Sequence, residues 1–488
     1  MPLCFLFAAA TRKASVLMLL TWVLVSLSIP ASAQGLPTLG HASSYDISLH
    51  QERHLGQAWL RQFRSQARLH QDPLVQHYME DLIRRLAVYT QGLESRELDV
   101  LLVDQRQLNA FAVPGGIIGV NTGLFAFATH EDEFASVMAH ELAHISQRHF
   151  ARRVEAARGA QWSTMAGLLA GILVASQGHA DAGIAAIAGT QAAAIQSQLA
   201  WSRTHEQEAD RIGMETLAAA GYSPEAMPAM FQQMQRLASL SGRPPEFLMT
   251  HPVTESRIAD AWSRADQLAS NRSRIKGRDY ELLRARLIFH QESRPAEAQR
   301  LFLQQQPTAV GKAYAQVLRD QKEERWDAAL KGMQGLHQEE PDWLLLHALY
   351  AELLLQAERW DQVEAELKAL LALVPSYYPG RYFLAELYAR TDHWSQAQRE
   401  LRRLSRERPG DPHIWFLLAE AAGKSGRLVD LHRARAEYFQ LTGRFNQAFS
   451  QLDLALDKAR QLNEPWQEQE VIRERRRALQ EKRELMDL

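Results

Sequence analysis

Cysteine is almost missing from this chain of 488 residues: the single one, Cys4, lies at the extreme N-terminus. An excess of charge of either sign is missing too. Lys plus Arg number 55 against 57 Asp plus Glu, so no strong net field favours nucleic acid. With 46% hydrophobic and 23% charged residues, a disordered chain, a collagen and a polytopic membrane protein are all excluded. The length exceeds one comfortable hydrophobic core, so two or more domains are expected.

What is present begins with an address. Arg12 and Lys13 precede an apolar run from Ala14 to Ile29, and Ala31-Ser32-Ala33 follows the small-x-small rule of signal peptidase. Residues 1–33 are therefore expected to be a signal peptide cleaved after Ala33, because the run is short for a spanning anchor. The apolar stretch Leu3 to Ala10 leaves a downstream translation start open. Cleavage removes Cys4, so the exported chain can form no disulfide and must be stabilised by packing.

Residues 34 to about 95 read as polar helices with apolar positions at Leu60, Phe63, Leu74, Tyr78, Leu82 and Leu86. Leu98 to Val103 has the character of a buried strand. Asn109 to Val113 leads into the turn Pro114-Gly115-Gly116, and Ile117 to Val120 resumes as strand. Two long helices are expected around residues 130–155 and 190–220. Between them, Met165 to Ala194 is rich in Ala and Gly; it suits a packed helical hairpin or a lid in peripheral contact with a membrane.

The last third repeats. Trp326, Trp360 and Trp394 are spaced by 34 residues, with Leu428 in the same register, and Pro341, Pro375 and Pro409 keep the same period. Ala351, Ala385 and Ala419 form a third ladder. This is the pattern of a tetratricopeptide repeat, in which each helix pair leaves an apolar face that only its neighbour covers. Gly443-Arg444-Phe445 follows only 17 residues after Leu428, half a repeat, and the charged helix Trp466 to Glu484 is expected to cap the stack. Its run Arg473 to Arg477 suits a solvated face.

The chemistry centres on His140-Glu141-Leu142-Ala143-His144. On a helix, residues i and i+4 share a face, so both imidazoles can reach one metal, with Glu141 beside them to take a proton from water. Thr129 is the expected cap with Asp132 three residues on, and Glu131, Asp132 and Glu133 suit the positive helix end. A third ligand must come from elsewhere. Gln147 and Phe150 stand where a metzincin needs Gly and His, and His149 is one position off. The remaining candidate is Glu206 on the later helix, with Asp210 four residues on to support a ligand imidazole or to lie near substrate.

HExxH followed some sixty residues later by Glu206-x-x-Ala209-Asp210 resembles the M48 family of zinc metallopeptidases. Asn109-Ala110-Phe111-Ala112-x-Pro114-Gly115-Gly116, Asn121-Thr122-Gly123-Leu124 and His251-Pro252-x-x-x-x-Arg257-Ile258 resemble further motifs of that family, in the family's order. The resemblance implies a mainly α chain: a zincin-like α+β metalloprotease domain with a small sheet over 34–275, then an α-solenoid of tetratricopeptide repeats over 276–488. It implies one zinc per chain held by His140, His144 and Glu206, with Glu141 and Asp210 as catalytic acids. His251 is then a regulatory fourth ligand, and Arg257 orients its loop or binds substrate backbone. Members with a signal peptide and such repeats imply a periplasmic endopeptidase and chaperone for unfolded or misassembled outer-membrane β-barrel proteins, docked to the β-barrel assembly machinery through the repeats. The missing cysteines depart from members with a disulfide in the repeats. Ile117, Ile118, Gly119 and Val120 are the expected edge strand for an extended peptide. A repeat scaffold with a weak or latent protease domain remains the alternative.

Overall fold

The computed structural model describes residues 47–94, 96–156, 192–242, 244–268 and 277–484. The expected signal peptide and most of Met165 to Ala194 lie outside the described residues. Two helices open the fold. Helix α1 (Leu49–Gln66) starts at Ser48 in a capping box with Gln51. Helix α2 (Pro73–Val88) starts at Asp72, whose carboxylate accepts from the N–H groups of Leu74 and Val75, with Pro73 at the first helical position.

Three short strands follow: β1 (Asp99–Val103), β2 (Ala110–Val113) and β3 (Ile117–Asn121). Their order is β1-β3-β2, with β1 parallel and β2 antiparallel to β3. The strand Ile117 to Val120 is therefore central, not the expected edge. All five residues of β3 are buried, and the turn at Pro114-Gly115-Gly116 folds β2 against one side while β1 fills the other. A continuous apolar run is the mark of a strand covered on both sides. At Gly119 a Cβ would stand 2.1 Å from the Phe111 ring, so only glycine lets the two strands meet. The outer side of β1 is covered in part, since His70 N–H donates to the Leu102 carbonyl. Among the described residues, no strand pairs with the outer side of β2.

Helix α3 (Thr122–Phe127) leads to α4 (Glu131–Ser146). The cap of α4 is His130 and not Thr129, and the carboxylate that reaches back is Glu133 rather than Asp132. Glu133 accepts from Thr129 N–H at 2.6 Å and Thr129 Oγ1 at 3.0 Å. Only Glu133 stands three residues after the cap, where a side chain can curl back. The expected helix over 130–155 also breaks. Arg148 takes a left-handed backbone (φ 53°) and donates to Glu52 Oε1 at 3.0 Å, and α5 (His149–Ala156) sets off in a new direction. Helices α6 (Ala192–Ala220), α7 (Ala226–Ser241), α8 (Glu246–Thr250) and α9 (Glu255–Leu268) complete this part.

Six helix pairs form the remainder: α10 (Arg278–Gln291) with α11 (Pro295–Leu303), α12 (Ala309–Lys322) with α13 (Trp326–Glu339), and α14 (Leu344–Gln356) with α15 (Trp360–Leu373). Then come α16 (Tyr378–Arg390) with α17 (Trp394–Glu407), α18 (Pro412–Lys424) with α19 (Leu428–Leu441), and α20 (Phe445–Gln461) with α21 (Trp466–Glu484). Glu324, Glu358, Asp392, Gly426 and Gly443 have positive φ, each two residues before Trp326, Trp360, Trp394, Leu428 or Phe445. A left-handed residue there ends one helix and aims the next. The ladder of aromatic marks is thus a ladder of turns.

One apolar core runs from α2 through α4 into the repeats as far as Leu387. Tyr280 donates to the Ala128 carbonyl at 2.8 Å, and Arg284, almost wholly buried, donates to the Ala126 carbonyl at 3.0 Å. Farther along, Arg408 Nη1 meets Glu80 Oε2 at 2.7 Å, so the repeats curl back onto α2. The two parts share contacts at the first helix pair and again at Arg408.

Candidate metal centre

Helix α4 carries His140 and His144 one turn apart, with Phe134, Met138 and Leu142 buried around them. Helix α6 packs tightly against α4. A Cβ at Gly213 would stand 3.2 Å from the His140 backbone nitrogen, so the glycine sets how closely α6 can approach. That approach delivers Glu206 and Asp210. The short α8 ends at His251 and brings a third imidazole from the far side.

Four side chains converge. His140 Nε2 lies 3.0 Å from His144 Nε2 and 3.4 Å from Glu206 Oε2, and His144 Nε2 lies 3.6 Å from Glu206 Oε1. His251 Nδ1 lies 3.1 Å from Glu206 Oε2 and 3.4 Å from His140 Nε2. Donor atoms on a tetrahedron with bonds of about 2.0–2.1 Å stand about 3.3 Å apart, so this set fits one zinc-sized ion. Glu206 is buried, which alone would raise its pKa, yet His251, His144 and His140 hold it well below the usual carboxylate range. Burial and the neighbouring histidines push His144 well below its ordinary value, which leaves a neutral ring able to ligate. Burial would also lower His140, but Asp210 and Glu206 raise it to about 9.

Two of the three imidazoles are braced from behind. His140 Nδ1 lies 3.0 Å from Asp210 Oδ1, and Asp210 accepts two bonds of 2.7 Å from Arg257. His144 Nδ1 lies 2.8 Å from His149 Nδ1, while His149 Nε2 lies 3.2 Å from Glu208 Oε2 and Arg152 donates to the same oxygen at 2.8 Å. The carboxylate can only accept, so His149 Nε2 carries the proton and its Nδ1 accepts from His144. That leaves His144 Nε2 bare toward the pocket. His149, set aside on sequence spacing, reaches the site because the chain breaks at Arg148. A uniform helix across 130–155 would have turned it away, and no local signal announced the break.

Asp210 sits behind His140, facing Arg257, so its position is that of a bracing group rather than one touching substrate. Arg257 is buried as well. It donates to Pro252 O, beside His251, at 2.6 Å and lies 3.3 Å from Glu206 Oε2. Glu141 is fully buried. Oε1 lies 3.6 Å from His251 Nε2. Burial raises its pKa against the opposing pull of His251 and His140. A cavity of about 1190 Å³ lies between α1, α2 and the late repeats, and none of these residues lines it.

Residues 73–265 match the model of peptidase family M48, and residues 361–421 match a tetratricopeptide repeat. The chain is 39% identical over 237 residues to the β-barrel assembly-enhancing protease of Escherichia coli K12, covering 49% of this chain and 48% of that one. The match thus spans about half of that relative's length. The β-barrel assembly-enhancing protease of Yersinia pestis is 29% identical over 467 residues, 90% of this chain and 96% of that one. The mitochondrial metalloendopeptidase OMA1 of Arabidopsis thaliana is 32% identical over 168 residues, 34% of this chain and 32% of that one.

Proposed function

We propose that this protein is a zinc endopeptidase of the periplasm, since residues 73–265 match peptidase family M48 and residues 361–421 match a tetratricopeptide repeat. The observation that carries this reading is the convergence of His140, His144 and Glu206, with the buried carboxylate of Glu141 beside them. Zinc bound there supplies Lewis acidity toward the scissile carbonyl and makes water more acidic. Glu141 takes the proton of the attacking water and returns it to the leaving amine. Its raised pKa suits a base that must later act as an acid. Asp210 and His149 hold the two ligand rings in the tautomers the reaction needs.

An extended client peptide adds to the open side of β2, which packs beside α4, in place of the central strand β3. Such recognition reads backbone more than side chain and suits unfolded or misassembled outer-membrane proteins, in keeping with the names of the relatives. The repeats, residues 276–488, offer the docking surface for the β-barrel assembly machinery. A signal peptide cleaved after Ala33 directs export; among the described residues no helix is long and apolar enough to cross a membrane.

His251 takes the fourth position in the pocket, where it excludes the attacking water. This seat favours a second reading, a repeat scaffold whose protease domain rests latent. Purified Glu141→Gln decides between them. It should lose casein cleavage by at least about 100-fold while keeping its metal and its capture of unfolded clients. Cleavage at the wild-type rate would overturn the endopeptidase reading.

A further inference from the structure

A second cluster of metal-ligating atoms lies in the repeats, far along the chain from α4. His337 on α13, His347 on α14 and Glu366 on α15 meet at one point. His347 Nδ1 lies 2.5 Å from Glu366 Oε1 and 2.8 Å from His337 Nε2, and His337 Nε2 lies 3.2 Å from Glu366 Oε1. The side chains are only 18%, 10% and 14% exposed for His337, His347 and Glu366.

His347 Nε2 faces the Pro341 carbonyl at 2.8 Å. A carbonyl can only accept, so Nε2 carries a proton and Nδ1 is the atom turned to Glu366 and His337. The contact of Nδ1 with the carboxylate calls for a cation, which a second proton on the ring or a metal ion in its place supplies.

The next repeat supplies the cation covalently. Thirty-four residues on, Arg381 replaces His347, Pro375 replaces Pro341 and Glu400 replaces Glu366. Arg381 Nε donates to the Pro375 carbonyl at 2.7 Å and Nη1 to Glu400 at 2.9 Å. Leu371 stands in the place of His337. The repeat that lacks the arginine is thus the one that gains a second imidazole. We propose that His337, His347 and Glu366 bind a divalent transition-metal ion, zinc by ligand type, with water completing the tetrahedron. The ion would pin α13, α14 and α15 together, where Arg381 ties α16 to α17 and to the Pro375 turn. His347 is already oriented by the Pro341 carbonyl, the kind of outer partner that metal-ligating histidines use.

The test loads chelator-stripped full-length protein with Zn²⁺ by dialysis and counts bound metal. Wild type should hold two ions per chain, and His140→Ala with His144→Ala should hold one. In that double variant Zn²⁺ should raise the unfolding temperature. Adding His347→Arg, which copies the neighbouring repeat and is built to preserve the fold, should remove both the ion and the shift. His337→Leu, which also copies that repeat, should do the same. One ion in wild type and none in the double variant would overturn the repeat site while leaving the α4 pocket standing. An ion that survives both His347→Arg and His337→Leu would overturn it too. One ion in wild type that persists in the double variant and disappears with His347→Arg would support the repeat site and overturn the α4 pocket instead.

Discussion

Arg257 holds Asp210 through two N–H···O bonds of 2.7 Å, and through Asp210 it holds the ring of His140. The same guanidinium donates to the carbonyl of Pro252, next to His251. One side chain therefore braces a ligand from behind and anchors the loop that closes the pocket in front. A planar fork with several fixed donors can do both, whereas a lysine ammonium cannot.

Removing the brace should loosen the metal without emptying the fold. Asp210→Asn keeps the shape and loses the charge opposite His140 Nδ1. Zinc affinity should fall about 10–100-fold, the usual cost of losing a ligand's outer partner. Competition against a chromophoric chelator measures it; unchanged affinity would remove Asp210 from the metal's support.

The proposed latency rests on His251. A neutral imidazole in the fourth position leaves no room for the attacking water. His251→Ala should raise the initial rate on casein and increase self-cleavage, with metal content unchanged because three ligands remain. If the ring instead stabilised the transition-state oxyanion, the rate would drop sharply. Initial rates at saturating zinc separate the two.

Arg286 ties the two parts of the chain. It donates to Asp72 at 2.5 Å, the cap of α2, and to both oxygens of Glu352 on α14 at 2.7 and 2.6 Å. Removing the single cation strands two half-buried to buried carboxylates. Arg286→Met should cost about 3–5 kcal/mol in urea unfolding, the range for breaking one side of a buried pair. A loss within about 0.5 kcal/mol, typical of a surface change, would show that the cluster is well solvated.

Glu208 gives a pH signature. The bond to His149, then Arg152, holds its carboxyl at about 2 against an ordinary 4.5, despite partial burial. A depressed carboxyl stabilises the fold above its unfolded pKa and loses that stabilisation as pH falls toward the folded one. Wild type should therefore exceed Glu208→Gln in stability by a constant margin above about pH 4.5, a margin that shrinks between 4.5 and about 2. A margin that grows on acidification would reverse the assignment.

Much of the architecture was legible because it is local. The two histidines share a face of α4 because a helix returns every four residues, and no distant contact is needed for that. The repeats were legible because a helix pair of fixed length recurs: Trp326, Trp360 and Trp394 mark turns set by the left-handed residues two positions before them. Glu206 followed from the chemistry of zinc ligands, and His251 from a family motif.

Tertiary structure decided the rest, because it depends on which faces pack. Ile117 to Val120 is central only because β1 and β2 arrive on opposite sides of it. His149 braces His144 only because Arg148, held by Glu52, turns the chain at the end of α4. His337, His347 and Glu366 meet only because three helices of two successive repeats stack face to face. Spacing along a chain fixes neighbours within one helix. Partners brought together from different helices are chosen by close packing, which selects one arrangement from many that share the same local periodicity.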